Sequence, residues 1–277
     1  MKTQLHWRIF NYALLIVLSL VFMMPFFVSV TTSLKSPAEI ANTTAWSLPK
    51  QTTFDNYKEV LTNENVSFAK LFQNTLFIST LTTLGVLLSS SLVAFSFSRL
   101  RWPGRDRLFI VLLGTMMLPG IVTMIPSYLM FKYFHWINTP WPLIVPAFFG
   151  GGAYNIFLLR QFFLGIPRDL DEAALIDGAS YWTIFWQVIM PLSKSALATV
   201  GVLAFIYNWR DFMGPLIYLN EAEKQTLEIG LSTYNSLNQL QWNLLMAGSV
   251  LVMIPLIVIF FLGQRYFVKG ISMTGIK

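Results

Sequence analysis

The chain has 277 residues, 55% hydrophobic and only 12% charged, with a formal net charge of +6 and no cysteine. Soluble domains carry about 25% charged residues, so this composition excludes an ordinary water-soluble domain and points to a lipid environment. Without cysteine there is no disulfide, thiolate metal site or cysteine nucleophile, and the redox compartment stays open.

A bilayer-crossing helix needs about 20 mostly apolar residues. In chain order, six stretches meet that length: Ile9–Val30, Leu71–Phe97, Leu108–Met130, Pro142–Phe163, Ala196–Leu219 and Leu244–Phe267. The first is too long for a signal-peptide core and no small-residue cleavage site follows it, so it reads as a retained span. The fourth is the weakest, interrupted by Gly150, Gly151 and Gly152 and carrying Asn155. Pro25, Pro119, Pro126, Pro146, Pro215 and Pro255 fall within spans. A membrane bundle tolerates them because neighbouring helices and waters satisfy the freed carbonyls. The expected fold class is therefore all-α: a membrane bundle of six transmembrane helices. Residues 1–70 form the first helix and an external loop, 71–267 a five-helix core with a loop at 165–192, and 268–277 a tail.

Orientation follows from lysine and arginine. With the N-terminus inside, the inner segments hold Lys2, Arg8, Arg99, Arg101, Arg105, Arg107, Arg160, Arg168, Lys194, Arg265, Lys269 and Lys277. The outer segments hold half as many, over longer loops: Lys35, Lys50, Lys58, Lys70, Lys132 and Lys224. The positive-inside rule puts both termini in the cytoplasm. The densest basic cluster, "RLRWPGRDR", is then a topology anchor, not a nucleic-acid site. Outside, "TFDNYKEVLTNENVSFAKLF" can form one or two short surface helices, and Asn220–Asn243 is polar, with Glu221, Glu223 and Glu228. Each loop either docks a partner or is a solvated spacer.

The inner loop reads "GIPRDLDEAALIDGASYWTIFWQVIMPLSKS". Pro167 suits the first turn of a helix, where its missing N–H costs nothing. Asp169, Asp171 and Glu172 complement the N-terminal dipole, and Gly178 suits the left-handed position that ends a helix. A helix is expected over Leu170–Asp177, followed by a second over Tyr181–Met190 that stops at Pro191. The spacing of Trp182, Phe185 and Trp186 gives this second helix an interfacial face. Ala173 and Ala174 would let a partner approach closely. The short helix is either a docking knob for a soluble protein or a solvated connector.

Span five, "FIYNWRDFMGPLIYL", places Arg210 and Asp211 inside the apolar run. A charge at the bilayer centre costs roughly 2.5–3.5 kcal/mol on insertion scales, so such residues face a bundle interior or wet cavity. Asn155, Tyr207, Asn208, Trp209, Arg210 and Asp211 are the candidate pathway residues; Tyr207 and Trp209 either stack on a ligand or pack. His6 and His135 are isolated, no phosphate-cradling Gly-x-x-x-x-Gly-Lys-Ser/Thr is present, and no catalytic or metal-binding set stands out. Any ATP must be held by another subunit.

"EAALIDGASYWTIFWQVIMPL" resembles the signature loop of ABC importer permeases in order and spacing. "NTLFISTLTTLGVLLSSSLVAFSFSRLRWPGR", "MLPGIVTMIPSYLMFKYF" and the ending "QRYFVKGISMTGIK" resemble the carbohydrate branch, the second permease of the maltose-transporter type. The resemblance covers nearly the whole chain. It implies a type I importer permease fold and alternating access, in a bacterial cell membrane, driven by ATP and magnesium on partner subunits. The implied partners are a second homologous permease, two copies of a cytoplasmic ATP-binding subunit and an extracytoplasmic solute-binding protein that delivers a sugar or oligosaccharide. By position, Glu172, Ala173, Ala174, Asp177 and Gly178 would contact the ATPase. Ile271, Thr274, Gly275 and Lys277 would reach its nucleotide-binding dimer, unless the tail is a plain anchor. The family pattern Trp-Asn-x-Phe-x-x-Pro-Leu is matched at Trp209, Phe212, Pro215 and Leu216, but Arg210 replaces the asparagine. That departure implies either an acidic substrate or a bridge to the partner permease. The competing class is a stand-alone secondary transporter or channel.

Overall fold

A computed structural model describes the backbone of residues 2–63, 67–236 and 239–273, and the side chains of 6–63, 67–235 and 241–265. The helices are α1 (Lys2–Ser33), α2 (Pro37–Asn42), α3 (Asp55–Thr62), α4 (Phe68–Arg99), α5 (Arg105–Thr115), α6 (Gly120–Tyr133), α7 (Trp141–Ile144) and α8 (Ala153–Leu164). They continue as α9 (Asp169–Ile176), α10 (Tyr181–Thr183), α11 (Met190–Leu192), α12 (Lys194–Trp209), α13 (Met213–Tyr218), α14 (Leu227–Ser232) and α15 (Trp242–Met273). A two-stranded antiparallel ladder pairs β1 (Asn235–Ser236) with β2 (Gln239–Leu240) in the polar loop.

Among the described residues, four apolar helical stretches are long enough to cross a bilayer: His6–Ser33, Phe68–Arg99, Trp141–Leu164, which is interrupted at its glycine run, and Trp242–Arg265. Two bent pairs bring the total to six. The expected third span is one of them, α5 and α6 meeting at 96°. Pro119 cannot extend α5, and it instead precedes the first residue of α6. The expected fifth span is corrected more substantially. Its helix α12 ends at Trp209, not Leu219; Arg210–Phe212 are non-helical, and α13 resumes at Met213. The other bent pair joins Tyr181–Leu192 to α12 at 79°. The expected stop of the preceding helix at Pro191 is also shifted. A π-helical stretch, Ile184–Ile189, leads into α11, and Pro191 lies inside that last turn.

The chain divides into two compact units. One comprises residues 1–68 and 230–254. In it Val60 of α3 packs with Tyr234, Leu244 and Ala247 in one buried cluster. Asn56 is satisfied there: it donates to the carbonyls of Ser33 (2.8 Å) and Lys35 (2.9 Å) and accepts from Asn243 (2.8 Å).

The other unit comprises 69–229 and 255–277. Its core is aromatic and aliphatic, with Phe95, Phe97, Phe109, Leu159, Phe163, Phe185 and Ile189 buried together. Helix α4 turns a face of small residues to the interrupted fourth span. Ser89 Oγ donates to the Ala147 carbonyl at 2.6 Å, and Thr82 Oγ1 to the Leu143 carbonyl at 3.1 Å. Gly151 sits at φ +63°, and a Cβ there would lie 2.7 Å from the Val86 carbonyl oxygen and 2.8 Å from Ser89 Oγ. The glycine run is thus the condition for that close approach. Arg99 closes α4. Its guanidinium donates to the carbonyls of Phe163 (2.5 Å) and Ile166 (2.9 Å), capping the end of α8, and binds Asp171 Oδ2 at 3.0 Å.

Candidate functional site

Helix α9 begins with Asp169, Asp171 and Glu172 in its first turn, where the dipole favours carboxylates. It ends in a double backbone lock: Gly178 N–H donates to the Leu175 carbonyl (3.0 Å) and Ala179 N–H to the Ala174 carbonyl (2.9 Å). Gly178 adopts φ +81°, the left-handed shape this ending requires. Ser180 then caps the next helix by accepting from Thr183 N–H.

The elements fix which side faces out. Ala174 is half-buried and packs on the unit's own core, so its small size serves the fold on that side. Glu172, Ala173, Asp177 and Gly178 are exposed, beside exposed Leu170 and Leu175 and Ile176 at 86% exposure. The anchor is Arg99–Asp171, with side chains only 2% and 14% exposed. Sequence reading treated Arg99 as one of several topology charges. Nothing local marks it, since its carboxylate partner lies 72 residues away.

The pathway candidates are scattered. Asn155 follows the glycine run and donates to the Gly151 carbonyl (2.8 Å). Trp209 is fully buried, stacked with Phe205 (5.4 Å) and edge-on to Phe72 (5.6 Å), so it packs and offers no open face to a sugar. Tyr207 is 78% exposed. Arg210 and Asp211 stand in the break between α12 and α13, not in a helix interior. Asp211 Oδ1 accepts from Gly214 N–H at 3.1 Å. Arg210 is exposed and acts on half-buried Glu228: burial pushes the Glu228 carboxyl up from its ordinary value, and the Arg210 charge pulls it back. Of the tail candidates, only the backbone of Ile271 is described, within α15; Thr274, Gly275 and Lys277 lie outside the described residues.

Residues 85–273 match the family described as the binding-protein-dependent transport system inner membrane component. The chain belongs to this family. Over 262 residues it is 34% identical to the probable starch degradation products transport system permease protein of Thermoanaerobacterium thermosulfurigenes, covering 95% of this chain and 94% of that one. It is 32% identical to the galactooligosaccharides transport system permease protein of Bacillus subtilis, covering 100% and 98%. Among solved structures, a bacterial ABC transporter involved in the import of the acidic polysaccharide alginate has a chain that superposes with a TM-score of 0.81. The two are 25% identical, with 96% of this chain and 98% of that one covered. The protein is thus a non-catalytic permease subunit of an ABC importer, located in the membrane. The stand-alone transporter or channel reading has no support among these relatives.

Proposed function

We propose that this permease subunit works in a bacterial importer of sugars or oligosaccharides, paired with a second homologous permease. The importer carries two copies of a cytoplasmic ATP-binding subunit, which hold ATP and magnesium; one of them docks on α9 of this chain, and an extracytoplasmic binding protein supplies the solute. Both termini are cytoplasmic. One observation carries the reading: α9 is a short, rigidly capped helix, tied to the core by Arg99–Asp171, that exposes Leu170, Leu175 and Ile176 beside Glu172 and Ala173. Exposed aliphatics on a helix so firmly anchored suit a groove in a soluble partner, because a rigid knob loses little entropy on docking. ATP-driven closure of that partner would pull α9, and the Arg99 clamp would pass the movement to α4 and α8. The names of the relatives favour oligosaccharide cargo. Exposed Arg210 and the alginate transporter favour an acidic one. The test is co-purification. Ile176→Asp should leave the chain in the membrane and remove the ATPase from the purified complex. Full assembly and transport by that variant would overturn the assignment.

A further inference from the structure

The break in span five encloses a cavity of about 20 Å³ lined by Thr75, Ser79, Thr82, Asn208, Asp211 and Thr226, among others. That volume holds one water-sized sphere, since a single water needs about 10–15 Å³ by this measure. Ser79 is 0% and Thr226 4% exposed, yet neither hydroxyl has a hydrogen-bond partner. Two unpartnered hydroxyls on one cavity demand an occupant, because a buried polar group left unpaired costs about 1–3 kcal/mol. Among the described residues Asp211 makes no ion pair: its neighbour Arg210 is exposed and acts on Glu228.

We propose that this cavity binds one dehydrated monovalent cation of sodium size, held by the Asp211 carboxylate and the hydroxyls of Ser79 and Thr226. The donor set is all oxygen, which suits a hard cation. A single carboxylate matches a single positive charge, and the described residues contain no cluster of three acids that would call for a divalent ion. The cavity also adjoins the end of α12, where the helix dipole presents its negative end. Broken membrane helices bind sodium through such ends. Gly214 belongs to the site: a Cβ there would collide with Asp211 Oδ2 and with Leu143. An ordered water is the alternative occupant. It would pair the hydroxyls beside a protonated Asp211 and would give no response to sodium.

The purified transporter should show this in its thermal unfolding midpoint. Raising sodium from 1 to 100 mM, at ionic strength held with choline, should raise the midpoint by about 5 °C. Potassium, whose lower charge density holds oxygen donors less tightly, should do less. Ser79→Ala should weaken the apparent sodium affinity about tenfold, and Asp211→Asn should abolish the response. Equal midpoints in sodium and choline would overturn the proposal and assign the cavity to water. If Asp211→Asn does not assemble, Ser79→Ala decides: an unchanged sodium response in that variant overturns the site. The readout is stability, so it stands or falls separately from the cargo of the importer.

Discussion

At the scale of single residues, the balance of the structure rests on a few polar contacts in an apolar chain. Arg99 and Asp171 are the clearest case. Removing one member of a buried pair leaves an unpaired charge and costs roughly 3–5 kcal/mol. Arg99→Ala also strips the caps from the Phe163 and Ile166 carbonyls. It should lower the yield of assembled transporter more than Asp171→Asn, which keeps an acceptor oxygen in place. Equal, wild-type yields would show that the clamp carries no load. Gly178 makes a different demand. A Cβ there meets nothing within 4 Å, so only the φ of +81° resists substitution. Leaving glycine at such a position costs about 1–2 kcal/mol, less for asparagine, which visits this region. Gly178→Asn should therefore transport nearly as wild type, while Gly178→Val should uncouple ATP hydrolysis from uptake without preventing insertion. The reverse order would mean that Gly178 serves some purpose other than its backbone shape. This glycine was legible in the sequence because an acidic start, alternating helix formers and a glycine stop all lie within one short window. The Arg99–Asp171 pair was not, because only tertiary folding brings its members together.

At the scale of elements, hydropathy located the spans and overlooked their breaks. An apolar run scores the same whether its helix is continuous or bent, so the 96° bend at Met116–Pro119 and the non-helical Arg210–Phe212 left no trace in the apolar count. The prolines carried a mixed message. Pro25, Pro126 and Pro255 lie inside helices, as membrane tolerance allows, while Pro119, Pro146 and Pro215 sit at breaks or first turns. Which role each takes depends on neighbours that the local sequence does not show. The glycine run of span four was read as weakness, whereas the structure uses it for close packing against α4. Gly151→Ala therefore combines a positive φ with contacts of 2.7–2.8 Å to Val86, Ser89 and Ser90. Overpacking costs about 1–3 kcal/mol, before the backbone penalty is added. A drop of several degrees in the midpoint of the purified complex is expected. Gly104→Ala, at φ +84° with open space around it, should fall by less. Similar losses for the two would remove the packing account.

At the scale of the whole molecule, the distribution of charge sets the direction in which the machine works. Arg101, Arg105, Arg107 and Arg168 line one cavity of about 740 Å³, with Asp106 as the acid among its named lining residues. Asp106 is already paired with Arg105 at 2.9 Å. Such a concentration of guanidinium at one end of the spans is costly to carry across a membrane and cheap to leave in the cytoplasm. It stands beside α9, since Arg168 immediately precedes that helix. The orientation and the docking surface therefore belong to one statement: if the arginines are inside, α9 is where a cytoplasmic ATPase can reach it. The chain has no cysteine, so single cysteines report without background. Arg101→Cys, at an exposed position, should resist a membrane-impermeant thiol reagent in intact cells and react after permeabilisation. Gln51→Cys, exposed in the loop after α2, should react in intact cells. The opposite labelling pattern would place α9 outside, where no ATP-binding subunit could drive it, and would overturn the coupling assignment together with the topology.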